Sequence, residues 1–117
     1  MFFRKKKKAE RELFDVSIFA SGTAGEDTFM RWTDELMDTA GNVLSADWIH
    51  SEEADRDEID GICSQFPSVD PAQPFFVISP AESGGDDVLL ATNDMRDAQA
   101  FFRAAEDREA GRRPFDV

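Results

Sequence analysis

Two short apolar runs in the second half of the chain set the tightest limit on its fold. Phe75-Phe76-Val77-Ile78 and Val88-Leu89-Leu90-Ala91 both read as strands, and only nine residues, 79–87, separate them. A parallel crossover needs about a dozen residues or more, so the two strands must pair antiparallel, as a hairpin. Pro80 and the turn-forming Ser83-Gly84-Gly85-Asp86 fall in that connection.

The remaining pattern mixes strands and helices. Leu13-Phe14-Asp15-Val16-Ser17-Ile18-Phe19-Ala20 alternates in part and is rich in strand formers. A small-residue loop, Ser21-Gly22-Thr23-Ala24-Gly25, leads into a helix expected over Glu26–Ala40. Phe29, Trp32, Leu36, Met37 and Ala40 form one apolar stripe of it. Glu26 and Asp27 suit its positive N-terminus, and Gly41 suits its stop. A second strand is expected over Asn42–His50. A second amphipathic helix carries Ile59, Ile62, Cys63 and Phe66, with Asp55 and Glu58 as a capping box, and ends before Pro67. Residues 68–74 read as a loop. A third helix begins near Met95, capped by Asn93 or Asp94, with Ala98, Phe101, Phe102 and Ala105 on one face and Gly111 at its end.

The expected order is β-α-β-α-β-β-α, an α/β chain with a mixed four-stranded sheet flanked by helices. The first two strands, joined through a helix, should be parallel with a right-handed connection. The chain has 117 residues, the length of one domain. We expect that domain over residues 13–110, between a basic arm at 1–12 and a tail at 111–117. A doubly wound or TIR-like sheet opens in a similar way but needs the last two strands parallel, against their short connection.

Charge is distributed unevenly. The net charge is −12. Residues 1–12 hold Arg4, Lys5, Lys6, Lys7, Lys8 and Arg11 against two glutamates, a net +4, so the remaining residues carry −16. All four lysines lie at 5–8, and arginine is the only cation of the body. An acidic body repels phosphate backbones and stays soluble at high salt. Abundant aspartate with little lysine resembles the proteins of salt-accumulating halophiles, and GC-rich coding gives the same depletion of lysine. No apolar run follows the basic residues, as a secretory leader requires, and no stretch approaches the roughly 18 apolar residues of a membrane span. The expectation is a cytoplasmic protein. The arm reads either as a solubilising terminus or as an electrostatic tether to anionic lipid, nucleic acid or an acidic partner.

The element order resembles the thioredoxin fold over roughly residues 13–110. The likeness is strongest at Gln73-Pro74-Phe75-Phe76-Val77-Ile78, a proline directly before the third strand. The resemblance implies a cis-proline at Pro74, beside the site where that family works. The family's Cys-x-x-Cys sits where the first strand enters the first helix. Here that stretch is Ala20-Ser21-Gly22-Thr23-Ala24-Gly25-Glu26, without cysteine. Dithiol exchange needs a thiolate, so this chain cannot perform it. Cys63, the single cysteine, lies on the apolar stripe of the second helix and reads as structural. Glutathione transferases share the fold and sometimes place a Ser or Thr in this loop, a role open to Ser21 or Thr23. Their all-helical second domain is missing, as is a clear Glu-Ser pair after the fourth strand, where Thr92-Asn93 stands.

Other constellations fail on their own chemistry. A calcium loop starting at Asp55 would need an oxygen ligand at its fifth position, glycine at its sixth and glutamate at its twelfth, and finds Ile59, Asp60 and Phe66. His50, the single histidine, has Asp47 and Glu52 nearby in sequence as possible partners for a general base, and otherwise reads as an exposed polar residue. One histidine and one cysteine exclude the usual zinc sites. The Gly22–Gly25 loop lacks the Gly-Lys-Thr/Ser of a phosphate loop. No metal, no cofactor and no catalytic residue is expected.

Two functions follow. The first is a non-catalytic thioredoxin-like interaction or assembly module, docking a protein partner through Ser21, Gly22, Thr23, Ala24, Gly25 and Pro74, with the basic arm as tether. The alternative is a domain or enzyme that binds a small thiol or anionic metabolite through the Ser21–Thr23 loop.

Overall fold

The computed structural model describes residues 12–22, 25–39, 43–83 and 87–111. The elements run β1 (Phe14–Ala20), α1 (Gly25–Thr39), β2 (Val43–His50), α2 (Arg56–Gln65), β3 (Phe75–Pro80), a 3-10 turn (Ala81–Ser83), β4 (Leu90–Thr92) and α3 (Met95–Gly111). The four strands form one mixed sheet in the order β2-β1-β3-β4. β1 and β2 are parallel, whereas β3 is antiparallel to both β1 and β4. The parallel first pair and the closing hairpin therefore agree with the sequence reading.

β1 and β3 are the central strands, and their alternation divides the core in two. Phe14, Val16 and Ile18 of β1 join Phe76 and Ile78 of β3 on one face, under Leu36 of α1 and Ala98, Phe102 and Ala105 of α3. Aromatic rings lock this face. Phe14 meets Phe101 and Phe102 edge-on at 5.2 and 5.6 Å, and Trp32 stacks on Phe76 at 4.3 Å. On the opposite face Phe19, Phe75, Val77 and Ala91 pack with Ile62 of α2 and with Val69. Phe19 and Phe75 are cross-strand neighbours and stack at 4.8 Å. Cys63 is half-buried against this second cluster, as its place on the apolar stripe implies.

The helix ends follow from local chemistry. Asp55 accepts a hydrogen bond from the Asp57 amide at 2.9 Å and opens α2; the Phe66 amide bonds the Ile62 carbonyl at its end, just before Pro67. The cap is thus made to Asp57 N–H, one residue short of Glu58. Asp94 caps α3 by accepting from the Arg96 amide at 2.9 Å, and Arg96 also forms an ion pair with it at 3.0 Å. Arg96 bonding holds the Asp94 carboxyl below its ordinary range and raises Arg96 in turn.

Two boundaries differ from expectation. β3 runs on to Pro80, which sits opposite Phe14 at the strand's end, where proline is tolerated. β4 is only Leu90–Thr92, because Leu89 gives its amide to Ile78 while Val88 turns onto the second core cluster. Ala40, Gly41, Gly84, Gly85, Asp86 and the residues 112–117 of the expected tail lie outside the described residues, as does the basic arm up to Arg11. Among the described residues no helix is long and apolar enough to cross a membrane.

Candidate functional site

The sheet gathers most of the residues expected to form a site at one of its ends. Phe19 pairs with Phe75, and Ala20 with His50. Ser21 and Gly22 therefore leave β1 beside the point where Pro74 enters β3, with His50 at the end of the neighbouring strand. Ser21 and Gly22 are exposed, Pro74 is half-buried, and Gly25 is buried as the first residue of α1. Thr23 and Ala24 fall outside the described residues.

Both glycines have a structural reason to be there. Gly22 has φ of 75°, in the left-handed region. Gly25 donates its amide to the Gly22 carbonyl at 3.2 Å. A Cβ on Gly25 would come within 3.3 Å of the Trp48 ring and 3.4 Å of the Ala20 backbone. The Gly25–Gly22 hydrogen bond and the missing Cβ of Gly25 let α1 start against Trp48.

The Pro74 side of this end is held by a residue that the sequence offered only as a cap for the third helix. Asn93, between β4 and α3, accepts from the Asp70 amide at 2.7 Å. Its amide group donates to the carbonyls of Asp70 at 3.0 Å and Pro74 at 2.9 Å. The loop is also tied within itself, since Asp70 accepts from the amides of Ala72 and Gln73. Among the described residues no peptide bond is cis, so the cis bond implied at Pro74 is corrected to trans. Trans is the intrinsic preference of an X-Pro bond by about 0.5–1 kcal/mol, and the Pro74 carbonyl is satisfied in that geometry by Asn93.

His50 does not acquire the partners of a general base. Asp47 projects to the opposite face of β2, since Asp47 pairs with Ser17 and His50 with Ala20. Among the described residues the buried Nδ1 of His50 has no hydrogen-bond partner, and its ring lies 5.8 Å from that of Trp48. Among the described residues no three metal-ligating side chains converge.

A second concavity runs along β1 on the α2 face, from Asp15 to Phe19. It is a groove of about 470 Å³ between α2 and the sheet, lined by Asp15, Ser17, Val77 and Ser79 below and Asp57, Glu58, Gly61 and Gln65 above. Its geometry follows from strand register. Ser45, Asp15 and Ser79 lie side by side in one row across β2, β1 and β3, and the Ser45 hydroxyl donates to Asp15 Oδ1 at 2.8 Å. α2 has only ten residues, about 15 Å of helix, and covers the apolar end of the face but not this row. The signal was present in the sequence: Asp15, Ser17, Ser45, Asp47 and Ser79 interrupt three strands on the same face.

No protein-family model matches the chain, and no curated protein matches it.

Proposed function

We propose that the chain is a non-catalytic thioredoxin-like interaction module that docks a protein partner at the sheet end formed by Ser21, Gly22, Gly25 and Pro74. Thr23 and Ala24 belong to the same loop in sequence. The observation that carries the reading is the Phe19–Phe75 register, which brings the β1–α1 turn and the Pro74 loop together. The strand order β2-β1-β3-β4, with β3 antiparallel to its neighbours, and α1 and α3 on the face opposite α2 support a thioredoxin-like arrangement. The cysteine-free turn argues for binding in place of dithiol exchange. The trans bond at Pro74 is a departure from that family. A surface tied by the Gly25–Gly22 hydrogen bond on one side and by Asn93 on the other is pre-organised, which lowers the entropic cost of docking.

The test is affinity capture from native lysate, with nuclease present, comparing the full chain with Ser21→Arg and Ala72→Arg. Both positions are exposed, so the variants should fold. Specific capture of a protein that is lost in both variants supports the reading. Capture indifferent to both places the interface elsewhere. A second reading, a small thiol or anionic metabolite at this end, draws on the unpartnered Nδ1 of His50. It predicts saturable heat on titration with small thiols, phosphate or nucleotides, and no heat with any of them counts against it.

A further inference from the structure

The two edges of the sheet are unlike. β4 is three residues long, whereas β2 runs for eight, and among the described residues β2 pairs only with β1. We propose that β2 is an interface with a second copy of this chain. The two strands pair antiparallel across a twofold axis at Ala46, which makes the two four-stranded sheets continuous. The backbone supplies the first argument. The Ser51 amide donates to the Ala20 carbonyl at 3.0 Å. Strand residues turn their polar groups alternately to either side, so Ser45, Asp47 and Ile49 face β1. Ala46 and Trp48 then present N–H and C=O at the open edge. Among the described residues no backbone hydrogen bond reaches these groups. Such a row is a template for another strand, and edges are usually blunted by lysine, proline or a bulge. β2 has neither lysine nor proline, and its one irregularity lies at its start, between Val43 and Ser45.

The side chains of this edge are complementary to themselves, which selects a second copy as the occupant. With the axis at Ala46, Trp48 of each copy comes opposite Leu44 of the other. These are the large exposed apolar residues of β2, 37% and 59% accessible, and the pairing covers both. On the other face Ser45 of each copy comes opposite Asp47 of the other, so the strand's carboxylate meets a neutral neighbour. At the axis a methyl group meets a methyl group. Neighbouring registers lose this match. An axis at Asp47 sets two carboxylates directly opposite, which destabilises a pair of strands. An axis at Ser45 takes Trp48 away from Leu44. A one-residue slip of one strand would set side chains of opposite faces together.

The test is sedimentation of the full chain over a wide concentration range. A single strand edge makes a small interface, so the dimer should form with a Kd on the order of 10 µM. Each copy carries a net charge of −12. Salt screens that repulsion, so association should strengthen several-fold between about 0.05 and 0.5 M. Association driven by the basic arm on an acidic body would weaken instead. Ala46→Pro removes the N–H at the axis and leaves the β1–β2 ladder intact, at an edge position where proline is tolerated. It should abolish the dimer. Leu44→Glu changes an exposed side chain, so it keeps the fold, and should weaken association at least about tenfold. Leu89→Glu, exposed beside the other edge, should leave it unchanged. Residue-resolved amide exchange should slow at Ala46 and Trp48 as concentration rises. A chain that stays monomeric, association that weakens with salt, or a dimer that survives both Ala46→Pro and Leu44→Glu would overturn the proposal. So would a dimer that leaves the Ala46 and Trp48 amides unprotected. None of these outcomes bears on docking of a different protein at the Ser21 and Pro74 end.

Discussion

The two faces of the sheet are made from the same strands and end differently. On one face Phe14, Val16, Ile18, Phe76 and Ile78 lie under two long helices, and the layer is closed. On the other, a ten-residue helix packs on Phe19, Phe75 and Val77 through Ile62 but leaves a groove lined also by Asp15, Ser17 and Ser79. The difference lies in the residues as much as in helix length. Polar side chains at alternate positions of β1 and β3 would be expensive under an apolar helix without partners, so the open half and its polar row require each other. Closed regions are where this molecule holds its stability, and open ones are where it can bind.

The largest expected effect lies on the closed face. Phe102 is fully buried against Phe14, and Phe102→Ala should cost about 4 kcal/mol in denaturant unfolding. A loss similar to that of an exposed substitution would mean that this layer is not closed. Asn93 fastens the loop that carries Val69 into the covered half of the second face. Asn93→Ala should cost about 2 kcal/mol through its lost hydrogen bonds and should speed amide exchange at Asp70. Ser79→Val probes the open half, where the serine lines the groove and water can reach its hydroxyl. The substitution should change stability by no more than about 0.5 kcal/mol, and a loss above about 1 kcal/mol would reveal a bond to it. The smallest effect is at the start of α3. Arg96 lowers the Asp94 carboxyl from its ordinary value of 3.8. The cap's contribution is therefore complete above that value and is lost as pH falls through the lower folded one. Asp94→Asn should flatten the stability profile below pH 3.8, measured by thermal melts across the acid range.

Much of the fold was legible because local rules and the global arrangement agree. The nine-residue connection dictated the hairpin, and the stripes of Phe29, Trp32 and Leu36 and of Ala98, Phe102 and Ala105 dictated which helix faces were buried. Asp55 was legible as a cap from residue type alone. The short β4 was not, because Val88 and Leu89 are as strand-like as Leu90 and their fate depends on tertiary contacts. At the candidate site, the meeting of Ser21 and Gly22 with Pro74 followed from element order. The clamp by Asn93 spans about twenty residues of sequence, with no local pattern to announce it. The groove escaped for a similar reason: Asp15, Ser45 and Ser79 are unremarkable singly and become a row only once the register is known.

The most direct test of the account is amide hydrogen exchange of the full chain, alone and with its captured partner. Docking at the sheet end predicts new protection at residues 20–22 and 72–76, with α2 unchanged. New protection confined to residues 57–65 of α2, with the β1–α1 turn and the Pro74 loop exchanging as before, would contradict it and move the interface to the groove.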